Sequence, residues 1–338
     1  MQGVNIQVQI GRETTYGSAP GSSTMAVPVT SWQVNPNFNK LTSKALLGQR
    51  AAFNVSSGDY DVRGSFSFEA DPTTLGLMLW LTCGSEGSAV SIGSGVYQHV
   101  FTPVQGAANK LPSFFAIFFD GVTTTTYYGL KVESLAIAVD PSNYMVVTLN
   151  VKGQRYDTVG IINPALALPA LRPFTFKNTS LYFGGSGQVA SAFVGSSVVE
   201  AGTFVPTYNN GLEDVRQRMD GLPYGQEPDY QLLEYTFEVE VDLSTFTSAQ
   251  RGSAFLSDIP IGVLAQFSHD SIIPGGTTSS YVFSIYVPWA EVTNAPENVT
   301  SPDRVKFTFS FKAIQQSLTT APVQMQLQDA RNSKWATF

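Results

Sequence analysis

The chain holds one cysteine, Cys83, in 338 residues, so no disulfide can form within it. Its two histidines, His99 and His269, stand at no metal-ligand spacing to that cysteine or to each other, and both read as ordinary strand or loop residues. Lys, Arg, Asp and Glu together make up only 13% of the chain. So low a charge fraction in an apolar protein implies that much of its surface is covered by other subunits. The net charge of −7 argues against a protein that grips nucleic acid through phosphate contacts. No apolar run approaches the roughly 18 residues that mark a membrane span. The start, Met1-Gln2-Gly3-Val4-Asn5-Ile6, lacks the charged and apolar regions of a signal peptide, and we expect synthesis and assembly in a cytoplasm.

Catalytic signatures are missing too. There is no Gly-x-Ser-x-Gly elbow, no P-loop and no His-Glu-x-x-His, and nothing fixes any Asp/Glu pair in a cleft. Gly184-Gly185-Ser186-Gly187 is a lone glycine run in a linker. The sequence points to no enzyme, cofactor or metal.

What is present is β-strand patterning, rich in Thr, Ser and aromatics. In Asp61 to Glu69, Val62, Phe66 and Phe68 alternate, with Gly64 the one gap, which predicts a half-buried strand. Asp71 then supplies an N-cap, Pro72 fits the first helical position, and Leu75 to Leu81 fills a short apolar helix with Cys83 as a buried thiol.

The same unit returns 171 residues later, as Leu233 to Asp242 followed by Leu243-Ser244-Thr245. That shift pairs Val27 with Val198, Val34 with Val205, Asn39 with Asn210, Leu41 with Leu212, Phe66 with Phe237, Glu69 with Glu240, Asp71 with Asp242 and Thr74 with Thr245. These are 8 identities in 48 positions, where about 3 are expected by chance. Farther on the shift falls to 148, pairing Pro112 with Pro260 and Ile137 with Ile285, the first copy being 23 residues longer between its helix and Pro112. It then becomes 160, pairing Thr148 with Thr308 and Lys152 with Lys312, which suggests a longer loop around Trp289 to Asp303 in the second copy. Length changes that fall in loops while strands stay in step are expected of an internal duplication.

In chain order, Val4 to Ile10 alternates as a strand or extended arm, and Val27 to Val34 is the next strand. Asn35 to Tyr60 and its counterpart Tyr208 to Tyr230 are long loops with apolar anchors, expected to act as contact arms between subunits. Gly84 to Gly95 reads as a linker and Val96 to Phe101 as a strand. Phe114 to Phe119 is a strand buried on both faces. Tyr127 to Val139 and Tyr144 to Gln154 join through the turn Asp140-Pro141-Ser142-Asn143. Residues 156–197 form a junction. Second-copy strands follow near 198–207, 231–242, 261–267, 280–288 and 303–314, with a short helix near Ser244 to Arg251 and a last strand at Gln324 to Gln328. The fold class is all-β, with two tandem β-sandwich or barrel domains, each with a short flanking helix. The domains span 1–160 and 198–338, with 161–197 as linker.

Three short motifs carry a family resemblance: Gly11-x-Glu13-x-x-Tyr16-Gly17 near the start, Leu111-Pro112-Ser113 before a buried strand, and Tyr128-Gly129 ahead of Leu135-Ala136-Ile137 and a long closing strand. In this order they resemble a large family of bacteriophage tail tube proteins. That resemblance implies a non-enzymatic virion protein, assembled in the host cytoplasm, whose rings stack into the tube through which DNA leaves. Within such a ring the inner sheet of each subunit joins its neighbours in a continuous barrel. Single-domain members form sixfold rings, so a tandem chain implies a trimeric ring with pseudo-sixfold symmetry, stacked helically. The implied partners are further copies of itself and other tail proteins such as tape measure, terminator and distal tail proteins. DNA passes without specific binding, and no membrane is involved.

On Tyr235 to Asp242, Glu238, Glu240 and Asp242 share one strand face, and with Glu69 and Asp71 they are the candidate lining of the channel. The candidate inter-subunit contacts are Arg12, Glu13 and Tyr16 of the N-terminal arm, Phe38, Leu41, Leu46, Leu47 and Phe53 of the first loop, and Leu212, Val215 and Met219 of the second. The alternative function is a carbohydrate-binding β-sandwich protein, which needs a concave cluster of exposed aromatics. Trp32, Trp80, Trp289 and Trp335 are instead spread along the chain. A secreted or wall-bound enzyme is disfavoured by the missing signal peptide and catalytic motif.

Overall fold

The computed structural model describes residues 6–18, 24–43, 55–106, 109–159, 173–193, 199, 201–214, 221–242, 254–276, 278–295, 306–317 and 319–337. The first half carries β1 (Gln7–Arg12), β2 (Thr24–Val27), β3 (Val29–Trp32), β4 (Asn35–Thr42), β5 (Val55–Glu69) and helix α1 (Pro72–Cys83). There follow β6 (Gly84–Glu86), β7 (Val90–Gly93), β8 (Val96–Pro103), β9 (Phe114–Phe119), β10 (Thr124–Ala138), β11 (Val146–Gly153) and β12 (Arg155–Val159). The second half carries β13 (Thr179–Gly185), β14 (Ala201–Asn209), β15 (Glu234–Asp242), β16 (Ile261–Ile272), β17 (Ser280–Asn294), β18 (Lys306–Ala313) and β19 (Gln324–Asp329). The all-β class holds. The expected helix near Ser244 to Arg251 lies outside the described residues.

Helix α1 forms as its sequence predicts. Asp71 accepts from the amides of Thr73 (2.8 Å) and Thr74 (3.1 Å), Pro72 opens the helix, and Gly84 closes it with φ +82°. Only glycine adopts that angle without strain. The helix is apolar all round, and every residue but Thr73 is buried, so it sits in the core rather than on it.

Hydrogen-bonded neighbours run β3–β5–β11–β10–β9–β1 in the first half. They run β14–β15–β18–β17–β16–β13 in the second. The order is the same, and all the pairs are antiparallel. Even an irregularity recurs: β10 shifts register between Val132 and Ser134, and β17 between Val292 and Asn294. Register also relocates the added length of the second half. Phe119 faces Thr124 across β9–β10, whereas Phe267 faces Phe283 across β16–β17. The extra residues therefore enter at the β16–β17 hairpin, not around Trp289 to Asp303.

Several local expectations change. Pro28 splits the strand expected over Val27 to Val34: β2 pairs with β1 while β3 pairs with β5. A residue without an amide hydrogen is a natural point for the chain to cross between sheets. Instead of an arm, β1 is an internal strand held by β2 and β9. Most of the Asn35 to Tyr60 loop is a hairpin, since β4 pairs along β5 from Asn35–Arg63 to Thr42–Val55. The supposed linker after α1 forms β6 and β7 against β8, and β8 crosses to pair with β19. The first half's 23 extra residues thus build sheet for the second. The junction likewise holds β12, paired with β10, and β13, paired with β16. In β9, Ile117 and Phe118 are only half-buried, and Phe118 stacks on Trp32 with ring centroids 5.4 Å apart.

One apolar core runs through both halves, from Phe66, Phe68 and Leu149 to Phe237, Phe267 and Phe309. At about 25 cal/mol per Å² of apolar surface buried, each of these side chains contributes about 1.5–3 kcal/mol.

Candidate functional site

The three motifs behind the resemblance meet at one point. Glu13 is buried; its carboxylate accepts from the amide of Gly129 at 2.8 Å and of Gly17 at 3.0 Å. Its own amide donates to Ser113 O at 3.1 Å. Gly129 has φ +65°, and a Cβ there would lie 2.9 Å from the Tyr16 ring, so glycine is required twice over. Arg155 closes the knot, lying 4.1 Å over the Tyr128 ring and donating to Gly17 O. Burial pushes the Glu13 carboxyl above its usual range, against the pull of its amide donors. Glu13 was expected to reach another subunit; it instead ties β1 to β10.

A second knot joins the halves. The edge of β10 takes β14 antiparallel, with Ser134 facing Asn209, Leu135 facing Tyr208 and Ala136 facing Thr207. Beyond β14 the chain folds back over the first half. Asn210 donates from its backbone to Glu133 O (2.8 Å), and from its side chain to Thr82 O (2.9 Å) and Val132 O (3.0 Å). Lys152, nearly buried, reaches Leu212 O (2.9 Å), Glu133 (2.9 Å) and Asp214 (3.1 Å). Lys131, 1% exposed, holds Glu227 (2.8 Å) and Pro228 O (3.1 Å). A buried ammonium survives only with such partners.

Across that joint the sheet β3–β5–β11–β10–β14–β15–β18 has one face in the core. Its other face presents mainly Ser, Thr, Asn and Ala. Glu69, Glu238 and Glu240 stand on this face, opposite the buried Phe68, Phe237 and Val239. Glu238 pairs with Val205 and Ser310, and Glu240 with Thr203 and Thr308. Neutral cross-strand neighbours keep the carboxylate row free of direct like-charge pairs across the strands. Asp71 is not on this face, because it is consumed as the helix cap and is 2% exposed. Asp242 pairs through its backbone with Lys306, and its side chain lies outside the described residues.

The family profile described as phage tail tube protein matches residues 3–322 of the chain. The chain belongs to the phage tail tube family. It is a structural protein of the virion tail. The comparison with curated proteins returned no match.

In this tube protein the expected contact residues divide. Phe38 and Leu41 are exposed at 43% and 53%, and the Phe38 ring packs against those of Tyr60 and Tyr156. Leu212 is buried in the joint between halves, so it is not available as a free contact. Arg12 bonds Ala336 O and lies over Trp80, and Tyr16 lies against Gly129, so both serve the fold. Leu46, Leu47, Phe53, Val215 and Met219 lie outside the described residues.

Sequence reasoning missed a buried cluster around His99. Its Nδ1 lies 2.8 Å from Glu86 and its Nε2 2.9 Å from Arg331 O and 3.3 Å from Asp329. They meet because β8 pairs with β6 on one side and with β19 on the other. Among the described residues no group of His, Cys, Asp and Glu could hold a metal ion. No helix among them is long and apolar enough to cross a membrane. A groove of about 560 Å³ on the outer face of β16, β17, β19 and β8 is lined by Gln98, Gln266, Gln324, Gln326 and Trp289. Trp80 and Trp335 are buried and Trp32 is stacked in the sandwich, so the tryptophans form no exposed cluster of the kind a carbohydrate-binding face needs.

Proposed function

We propose that the chain forms trimeric rings of pseudo-sixfold symmetry, that the rings stack into the tail tube, and that DNA leaves through their bore. Each chain supplies two tandem sandwich units, and the protein performs no catalysis. The recurrence of one strand order in both halves supports the two units. The observation that carries the reading is the sheet that runs unbroken through the β10–β14 joint with a polar face. A channel for DNA needs a wall of small neutral groups and carboxylates, because Lys and Arg contacts to phosphate set non-specific affinity. Glu69, Glu238 and Glu240 supply the negative sign, and Lys312, opposite Thr236 on the same face, is neutralised by Glu234 at 2.8 Å. Stacking between rings falls to the β4–β5 hairpin, where Phe38 and Leu41 are exposed, an open-ended heterologous contact of the kind that propagates a filament. Tape measure, terminator and distal tail proteins then meet the tube at its lumen and ends.

Electron cryo-microscopy of tubes grown from the purified chain tests this. The expected map has three chains per ring with Glu69, Glu238 and Glu240 facing the bore. Six chains per ring overturns the stoichiometry, and carboxylates on the outside overturn the channel. Changing all three to Lys should leave tubes intact while slowing DNA release from the virion.

A further inference from the structure

Asn210-Gly211 is the one Asn-Gly step in the chain. Such a step carries its own reaction. The glycine amide nitrogen attacks the side-chain carbonyl carbon of the asparagine, unhindered by any side chain beside it. A C–N bond forms to close a five-membered succinimide, the Cγ–Nδ2 bond breaks, and ammonia leaves with the proton of the glycine amide. Water then opens the ring at either carbonyl, leaving aspartate or isoaspartate. Apart from water, no partner is needed.

The joint between the halves demands both residues. Gly211 has φ +58°, and a Cβ there would lie 2.9 Å from the Leu232 carbonyl oxygen, so a side chain is excluded on both counts. Asn210 is 5% exposed, and its Nδ2 donates to Thr82 O at 2.9 Å and to Val132 O at 3.0 Å. Thr82 lies in the last turn of α1, where carbonyls lack helical partners. Val132 stands at the register shift of β10, where the ladder is interrupted. One side-chain amide with two N–H donors serves both carbonyls. The same contacts give each reacting atom a partner of its own. Cγ is held by α1 and β10, while the Gly211 amide donates to Asn209 Oδ1 at 2.8 Å. The Gln231 amide, shared between Asn210 O at 3.3 Å and Gly211 O at 3.2 Å, pins the backbone between them.

We propose that Asn210 is a deamidation site that the closed joint protects, and that its conversion is one-way: a chain whose halves part and react there does not close again. Aspartate at this position has no N–H for Thr82 O or Val132 O, and it sets a carboxylate against two carbonyl oxygens in a buried place. Isoaspartate also adds a methylene to the main chain. That shifts Leu212, whose carbonyl the Lys152 ammonium reaches at 2.9 Å. Opened chains are thereby lost to assembly, while closed ones keep the amide. This holds for the single chain, whatever the number of chains in a ring.

Peptide mass spectrometry of the full chain tests it, with samples aged at mildly alkaline pH either native or unfolded in urea. Exposed Asn332, followed by Ser333, is the internal reference. In urea Asn210 should convert faster than any other asparagine. In the native chain it should convert roughly a hundredfold more slowly, because reaction then waits on local opening, while Asn332 changes far less. Lys152→Ala, which loosens the joint without touching either reacting residue, should speed native conversion roughly tenfold. Chains aged in urea and returned to buffer should regain the parental tryptophan fluorescence only in the fraction that still carries Asn210. Asn210→Asp should melt below the parent or fail to fold. Equal conversion of Asn210 in native and unfolded chains overturns the protection. Aged chains that refold fully with Asn210 converted, or an Asn210→Asp variant that melts and assembles like the parent, overturn the one-way step.

Discussion

His99 and Glu86 form a pair closed to solvent, with 2.8 Å between Nδ1 and Oε1. Glu86 also accepts from the amides of Trp335 (3.1 Å) and Ala336 (3.0 Å), so this pair fastens the last described segment to β6 and β8. Burial alone would lower the histidine's pKa. Hydrogen bonds to Asp329 and Glu86 outweigh it and raise the group to about 9. A histidine whose folded pKa exceeds its unfolded value near 6.5 lends stability that is complete below that value. That stability is lost as pH rises through about 9. Urea unfolding at pH 6, 8 and 10 should show stability falling across this range in the parent, with a shallower fall in His99→Gln. A parent profile that is flat from pH 6 to 10 would contradict the assignment.

Trp335 leaves no room at Gly76. A Cβ there would lie 2.2 Å from the indole ring, and both partners are buried within the core. Helix propensity favours alanine over glycine by about 1 kcal/mol, but the overlap must be relieved by moving a packed ring. Gly76→Ala should therefore destabilise by about 1–3 kcal/mol. A melting temperature equal to the parent's would show that the ring moves freely.

Asp71 caps α1 through two amides and the hydroxyls of Thr73 and Thr74. Asp71→Ala should lower stability by about 0.5–2 kcal/mol, and Asp71→Asn should recover part of the loss. Neither should change the charge of the proposed channel wall, because the side chain is buried. A shift in DNA release at unchanged stability would count against the capping role.

Phe237 stacks on Phe311 with centroids 4.7 Å apart and planes 12° from parallel, and it is 2% exposed. Phe237→Ala should lose about 3–5 kcal/mol through transfer and cavity terms. Phe237→Leu should lose less. Denaturant midpoints measure both, and equal losses would mean the site collapses around either side chain.

Local chemistry was enough for the strands that alternate cleanly, for the Asp71–Pro72 start of α1, and for the buried Cys83. The order of the Glu13, Pro112 and Gly129 motifs was enough for the family. The carboxylates Glu69, Glu238 and Glu240 could be placed on a polar strand face from period-2 alternation alone. Each of these depends on residues within a few positions of one another, where backbone geometry and side-chain spacing act directly.

What only the tertiary structure decided is partnership over distance. Glu13 reads as an exposed arm residue until Gly129, 116 positions away, presents its amide. His99 reads as an ordinary strand histidine until β19 brings Asp329 and Arg331 beside it. Segments 84–95 and 156–197 read as linkers because β6, β7 and β13 are short and glycine-bearing, and their strand character comes from the ladders they join. Leu41 and Leu212 are paired by the sequence shift of the repeat, yet one is 53% exposed and the other 5%. Their local sequence says nothing of that difference, because burial depends on which surface arrives to cover a residue.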